Sequence, residues 1–411
     1  MMRRFWIYAE KVFGLSQQIM TLRDSRRSPK IPTHAIWVSG LVMLLCRLGS
    51  LNRLETQMCR RGRLRGFVGP NPPSVDRVGQ VYGQIGTEGI RQMLVSANRK
   101  MKRNKALPNP WALRWAALDG HEFFTSRSRC CDQCSVRKVK VNGVKVDEYY
   151  HRGVVLVLLT GEFVVPLDVE MQGPQEGELR AALRLLKRTR EIYRRYFDGV
   201  VCDALYSQAP FVNFLLRNGL HFVIVLKGKK RQLHQDAKGL FGAMKPKAWR
   251  ETNRRVESWD EEGFTTLAGA DRPVRVVRTV ERVTRRRRKG KEWLTEEEKQ
   301  QWYWITDLPK NKLSTRAVWE LGHHRWDIEN RLFNTLERHW SLNHSFRHDP
   351  VAMVNFILTL FLAFVLIQSF YWRNLKPAYR DGLSLIDVAD ELLRGLGERG
   401  LRVKWPQRRA G

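Results

Sequence analysis

The order of short apolar runs between residues 114 and 226 constrains the fold more than any other feature of the sequence. Runs with strand character cover 114–124, 149–160 and 163–169. A helical pattern follows at 178–196, then a strand at 199–202, a helix at 209–218 and a strand at 222–226. Alternating or continuous apolar stretches of this length read as strands, and a 3.6-residue period reads as helix. The order is therefore β-β-β-α-β-α-β. A helix between the third and fourth strands implies a crossover to a parallel neighbour, whereas the first three strands can pair as a meander. The expected class is α/β, a mixed five-stranded sheet flanked by helices.

Composition changes mark what surrounds this region. Residues 1–110 read as an all-α domain, broken at Pro70-Asn71-Pro72-Pro73 and carrying basic helix surfaces such as 99–105. The sheet region is expected over 111–228 and again over 309–376. Between them, 229–308 reads as a β-rich insertion: it holds alternating Val-Arg segments, five tryptophans (Trp249, Trp259, Trp293, Trp302, Trp304) and the run Arg285-Arg286-Arg287-Arg288-Lys289. Residues 377–411 form a C-terminal helix, near 383–396, and a basic tail. The stretch 351–372 is uncharged and long enough to span a bilayer. Its polar residues Asn355, Thr359 and Ser369 fall on one helical face, so the expectation is a buried core helix and no membrane.

Lys and Arg number 73 against 41 Asp and Glu, a formal charge of +32 spread along the whole chain. Self-repulsion on that scale calls for a polyanion partner, most simply nucleic acid. Six cysteines in 411 residues are too few for a disulfide framework, and the N-terminus lacks the pattern of a signal peptide, so a reducing cytoplasm is expected.

Three acids stand out in so basic a chain. Asp119 follows the apolar run Trp115-Ala116-Ala117-Leu118, Asp203 follows Val200-Val201-Cys202, and Glu329 sits on a helical stretch, Arg325-Trp326-Asp327-Ile328-Glu329-Asn330. Singly, Asp119 reads equally well as a turn acid before Gly120, and Asp203 as a helix cap. Together, two acids at the ends of neighbouring strands and one on a crossing helix can bracket a pair of Mg2+ or Mn2+ ions, which prefer hard oxygen ligands.

At these residues the chain resembles DDE-type transposases of bacterial insertion sequences, which share the ribonuclease-H-like fold. The resemblance covers about 111–370 and rests on Ala117-Leu118-Asp119-Gly120, on Val200 to Ser207, and on Arg325 to Glu329. The long gap before Glu329 is similar to the β-rich insertion of one branch of that family. The resemblance implies catalytic metal ligands at Asp119, Asp203 and Glu329 and a DNA-contacting arginine at Arg325. It implies cleavage at inverted-repeat ends, transfer of the 3′ hydroxyl to target double-stranded DNA, a synaptic homodimer, and a bacterial, nucleoid-associated location. Two positions depart from the pattern: Gly322 stands where the family often has tyrosine, and the basic residue expected after the glutamate is absent at Leu336 and Glu337, leaving Arg338. The rival readings are a ribonuclease-H-like nuclease that does not join strands and an inactive basic DNA-binding protein.

Further DNA contacts are expected from Lys227, Lys229 and Lys230 after the last core strand, and from Arg285, Arg286, Arg287 and Arg288. The insertion's tryptophans read as subdomain core or as platforms for an unpaired base. Cys131 and Cys134 have the spacing of half a zinc site, which His121 or His151 could complete, or they are ordinary thiols of a loop.

Overall fold

The computed structural model describes residues 1–59, 62–228, 231–289, 292–345, 347–396, 402–403 and 405–406, without the side chains of 58, 59, 285–287, 289, 292 and 294. Before the first strand the described chain is helical: α1 (Met2–Phe13), α2 (Leu15–Met20), α3 (Thr33–Leu45), α4 (Leu51–Leu54), α5 (Arg65–Val68), α6 (Val75–Tyr82) and α7 (Thr87–Arg103). Then come β1 (Trp115–Ser126), β2 (Ser135–Val141), β3 (Val144–Leu159) and β4 (Val164–Met171). Next are α8 (Glu178–Tyr193), β5 (Gly199–Cys202), α9 (Ala209–Arg217) and β6 (His221–Val225). The insertion contributes α10 (Gln232–Gly242), β7 (Lys247–Glu251), β8 (Arg254–Phe264), β9 (Val274–Lys289) and β10 (Glu292–Thr306). The chain continues with α11 (Thr315–His324), a π-helical turn (Ile328–Phe333), α12 (Asn334–Trp340), α13 (Pro350–Arg373), α14 (Pro377–Arg380) and α15 (Leu385–Gly395).

The five expected strands lie in the order β4-β3-β1-β5-β6, antiparallel on the β3 side and parallel from β1 through β5 to β6. This mixed sheet flanked by helices has the ribonuclease-H-like arrangement. The sheet does not stop at five strands. β10 pairs antiparallel with β6, and β9, β8 and β7 follow, so that ten strands form one sheet. The sequence reading also missed β2, which pairs with the N-terminal half of β3 and prolongs the β1–β3 ribbon beyond the core. Its alternation is only between half-buried and exposed positions, so no apolar run betrays it.

α13 explains why 351–372 looks like a membrane span. It is long and apolar enough to cross a bilayer, yet it is buried against α1, α3, α6, α7, α15 and β4. Its polar face meets partners there. Asn355 Nδ2 donates to the carbonyls of Tyr82 and Ile85, both at 2.8 Å. Thr359 Oγ1 accepts from Trp37 Nε1 at 3.1 Å and from the Tyr82 hydroxyl at 3.0 Å, and Ser369 Oγ lies 2.7 Å from the Tyr8 hydroxyl. Buried polar groups that lack partners are costly, so these bonds fix which helices α13 accepts. The N-terminal helices thus close around a helix from the far end of the chain. A buried ion pair joins them to the sheet: Asp168 on β4 takes Arg91 of α7 at 3.0 Å and Arg188 of α8 at 2.7 Å.

Candidate active site

Residues Trp115–Leu118 are fully buried, on a β1 that lies inside the sheet between β3 and β5. The parallel register pairs Ala116 with Val200 and Ala117 with Val201. Carried two residues on, that register would bring Asp119 beside Asp203, and Asp203 is close enough to Asp119 to help raise its carboxyl. Asp203 stands just past the end of β5. Asp119 does not end its strand, contrary to the expectation from sequence. β1 runs on to Ser126 beside β3, and Asp119 lies where its neighbour β5 has stopped.

Asp203 also caps a short 3-10 turn, its Oδ1 accepting from the Leu205 N–H at 2.8 Å. The capping role and a site role are compatible, since one oxygen serves the cap and the other is left for a ligand. Glu329 comes from the π-helical turn between α11 and α12, anchored by the buried Ile328, Leu332 and Phe333. Single π turns inside helices recur at functional sites. The Arg325 guanidinium, buried against the Trp326 ring at 4.2 Å, donates from Nη1 to Asp119 Oδ2 at 3.2 Å and to Glu329 Oε1 at 3.1 Å. All three expected acids therefore converge on one face, two of them sharing a cation that the protein supplies itself.

A fourth acid was missed from sequence. Glu178 is the first residue of α8, and a Glu in the first turn of a helix has an ordinary explanation in the helix dipole. Its carboxylate lies against Gly120, so closely that a Cβ there would clash with Glu178 Oε2, and it accepts from the Tyr206 hydroxyl at 2.6 Å. The glycine directly after Asp119 is the signal that could have pointed to such a neighbour. Crowding shows in the acid strengths. Burial pushes Asp119 up to about 7; Arg325 opposes this, and Glu329, Asp203 and Glu178 reinforce it. Glu178 is raised too, chiefly by burial, with Asp203 adding to it against the Tyr206 bond.

The insertion holds the arm that presents Arg325. Glu281 of β9 is fully buried and accepts from His323 at 2.8 Å, Trp319 at 3.0 Å and Arg254 at 2.7 Å. Burial alone would raise its carboxyl, but the bonds from His323 and Trp319 and the Arg254 charge bring it below the usual range. The departure at Gly322 has a steric cause. The indole of Trp304, from β10, sits where a side chain at Gly322 would be, its Nε1 facing that position. A tryptophan from the insertion occupies the space that a tyrosine would need.

The remaining expected residues are more dispersed. Arg338 is exposed on α12, while Leu336 is buried and Glu337 pairs with His121 at 3.2 Å. Lys227 is exposed at the end of β6 and lines a groove of about 970 Å³ with His234, Lys238, Trp302 and Tyr303. Lys229 and Lys230 lie outside the described residues, as do the side chains of Arg285, Arg286 and Arg287; Arg288 is exposed on β9 opposite Trp293, which is 67% exposed. Trp304 is core and Trp302 stacks on it at 6.1 Å, so those two serve packing. His121 stacks on Phe333 and reaches Asn343 at 3.2 Å, away from the cysteine pair.

A ribonuclease-H-like sheet bearing paired aspartates on adjacent parallel strands and a glutamate from a crossing helix defines a class of DNA-processing domain. The chain belongs to the transposase DDE domain family, whose model matches residues 118–366. No curated protein matches it.

Proposed function

We propose that the chain is an insertion-sequence transposase that cuts the inverted-repeat ends of its element and joins the freed 3′ hydroxyl to target DNA. Asp119, Asp203 and Glu329 are its metal-binding acids. The observation that carries this reading is the bridge from Arg325 to both Asp119 and Glu329, with Asp203, just past the end of the paired strand β5, close enough to raise Asp119. The donor set fits a hard cation: it offers carboxylate oxygens, and burial together with the neighbouring acids pushes Asp119 to about 7 despite the Arg325 guanidinium. Two Mg2+ or Mn2+ ions, when bound there, activate the attacking oxygen and stabilise the leaving one.

The chain's own groups do the positioning. Arg325 is held in place by Trp326, and its guanidinium can pass from carboxylates to a phosphate oxygen of similar geometry. Tyr206 fixes the Glu178 carboxylate beside Gly120, keeping a fourth negative charge at the rim. The helices before β1 supply end recognition, their basic residues positioning the backbone while base contacts specify the sequence. Lys227, Lys229, Lys230, Arg338 and the 285–288 run extend the phosphate track. Two copies act together at synapsis, and the site of action is the bacterial nucleoid.

The test is a cleavage and joining assay on DNA carrying the element's ends with Mg2+. Wild type nicks and joins, while Asp203→Asn and Glu329→Gln still retard the DNA but leave it intact. Nicking by Asp203→Asn at the wild-type rate would sink the assignment of acids. Cutting without any joined product would make the chain a nuclease instead.

A further inference from the structure

Cys131 and Cys134 meet two histidines from distant parts of the chain. Their sulfurs are 3.8 Å apart. His151 Nε2, on β3, lies 3.4 Å from Cys131 Sγ and 3.2 Å from Cys134 Sγ. His348 Nε2, just before α13, lies 3.3 Å from Cys134 Sγ and 3.1 Å from His151 Nε2. All four atoms fall within 4.8 Å of one another. With Zn–S near 2.3 Å and Zn–N near 2.05 Å, a regular tetrahedron has edges of about 3.8 Å between sulfurs, about 3.5 Å between sulfur and nitrogen and about 3.3 Å between nitrogens. The five separations given above follow that pattern within a few tenths of an ångström, and the sixth, from Cys131 Sγ to His348 Nε2, stays under 4.8 Å.

Hydrogen bonding alone does not account for the arrangement. Three neighbours converge on the single Nε2 of His151, which has either one proton to give or one lone pair to offer. The sulfur separation is also nearly twice a disulfide bond length of about 2.04 Å. A cation at the centre gives every one of these atoms a partner at once. The surroundings are built to hold the set. Cys134 and His151 are buried, the Cys131 N–H points at Cys134 Sγ at 3.4 Å, and His348 stacks on Phe124 at 4.2 Å.

We propose that Cys131, Cys134, His151 and His348 form a structural zinc site, separate from the acid cluster. Two sulfurs and two imidazoles in tetrahedral disposition select zinc, and four protein ligands leave no open position for catalysis. The site staples the β1–β2 loop and β3 to the segment that follows the Glu329 helix, across 214 residues of sequence between Cys134 and His348. It thereby fixes the extended β1–β3 ribbon, whose β1 strand carries Asp119, against the start of α13. Cys130, beside the set, is exposed and takes no part.

The inference is independent of the catalytic reading, and its test reads metal instead of activity. Full-length protein purified under reducing conditions is expected to carry one zinc per chain by elemental analysis. After chelation, added Co2+ is expected to give the ligand-field bands of a tetrahedral centre together with a sulfur-to-metal charge-transfer band. Cys134→Ser and His348→Ala lose the metal, whereas Cys130→Ser and Asp203→Asn keep it. Should Cys134→Ser fail to fold, His348→Cys serves in its place, retaining cobalt with a stronger charge-transfer band. Retention of zinc by a Cys131→Ser, Cys134→Ser double variant, or cobalt uptake without a sulfur band in wild type or in His348→Cys, would overturn the proposal.

Discussion

Arg325 and Glu329 are joined by a 3.1 Å hydrogen bond along one turn of an irregular helix, and the same guanidinium nitrogen reaches Asp119 at 3.2 Å. The arginine serves as a counter-ion to both acids. Arg325→Ala leaves the acids to repel one another, and loss of one partner from a buried ion pair costs about 3 kcal/mol or more. The variant is expected to melt well below wild type in chelator and to regain more stability than wild type when Mg2+ or Mn2+ is added. Thermal denaturation with and without each cation measures this; equal metal-induced gains would contradict the counter-ion role.

Asp119 gives the cluster a pH signature. Burial and the neighbouring acids raise its carboxyl from an ordinary 3.8 to about 7, so the folded chain holds a proton that the unfolded chain releases. A raised folded-state value contributes stability that is complete below about 3.8 and fades as pH rises through about 7. In chelator, wild type should therefore lose stability between pH 5 and 7.5 relative to Asp119→Asn, which has no proton to lose. Melting temperatures across roughly that range provide the comparison, and parallel profiles would show that Asp119 titrates normally.

Gly322 tests the steric account of its own departure from the family pattern. A methyl group there would press on the Trp304 indole well inside van der Waals contact, and that indole is wholly buried between the insertion and α11. Gly322→Ala should destabilise by about 1–3 kcal/mol, the usual cost of overpacking, although alanine favours helix over glycine. Urea denaturation decides it, and the pairing with Trp304→Phe should recover part of the loss. A stabilised Gly322→Ala would mean that helix propensity outweighs the contact.

Strand residues carried most of what was legible beforehand. The runs ending at Leu118 and Cys202 declare buried strands by composition, and their positions before an aspartate pointed to the candidate site. Glu329 was legible with Arg325 because both lie in one short helical stretch. What stayed hidden depends on approach in three dimensions. Glu178 is an unremarkable helix-start acid until α8 packs beside Gly120. His348 is separated from Cys134 by 214 residues, and only the placement of α13 brings it to the cysteine pair in place of His121. β2 escaped notice because its charged alternation buries little on either face. The role of Gly322 needed the partner strand, since nothing local says that Trp304 fills the gap.

The pairing of β10 with β6 has a consequence for how such a chain can be shortened. In a five-stranded version, β6 would be the rim of the sheet, its row of amides and carbonyls facing solvent. Here that rim is occupied by β10 through Trp304, Ile305 and Thr306. Cutting out β7 to β10 would expose a short, buried-type strand, Phe222 to Val225, as an adhesive border for other chains. The innermost strand of the insertion acts as a seal, and a protein stripped of it would be expected to self-associate before it could bind anything else.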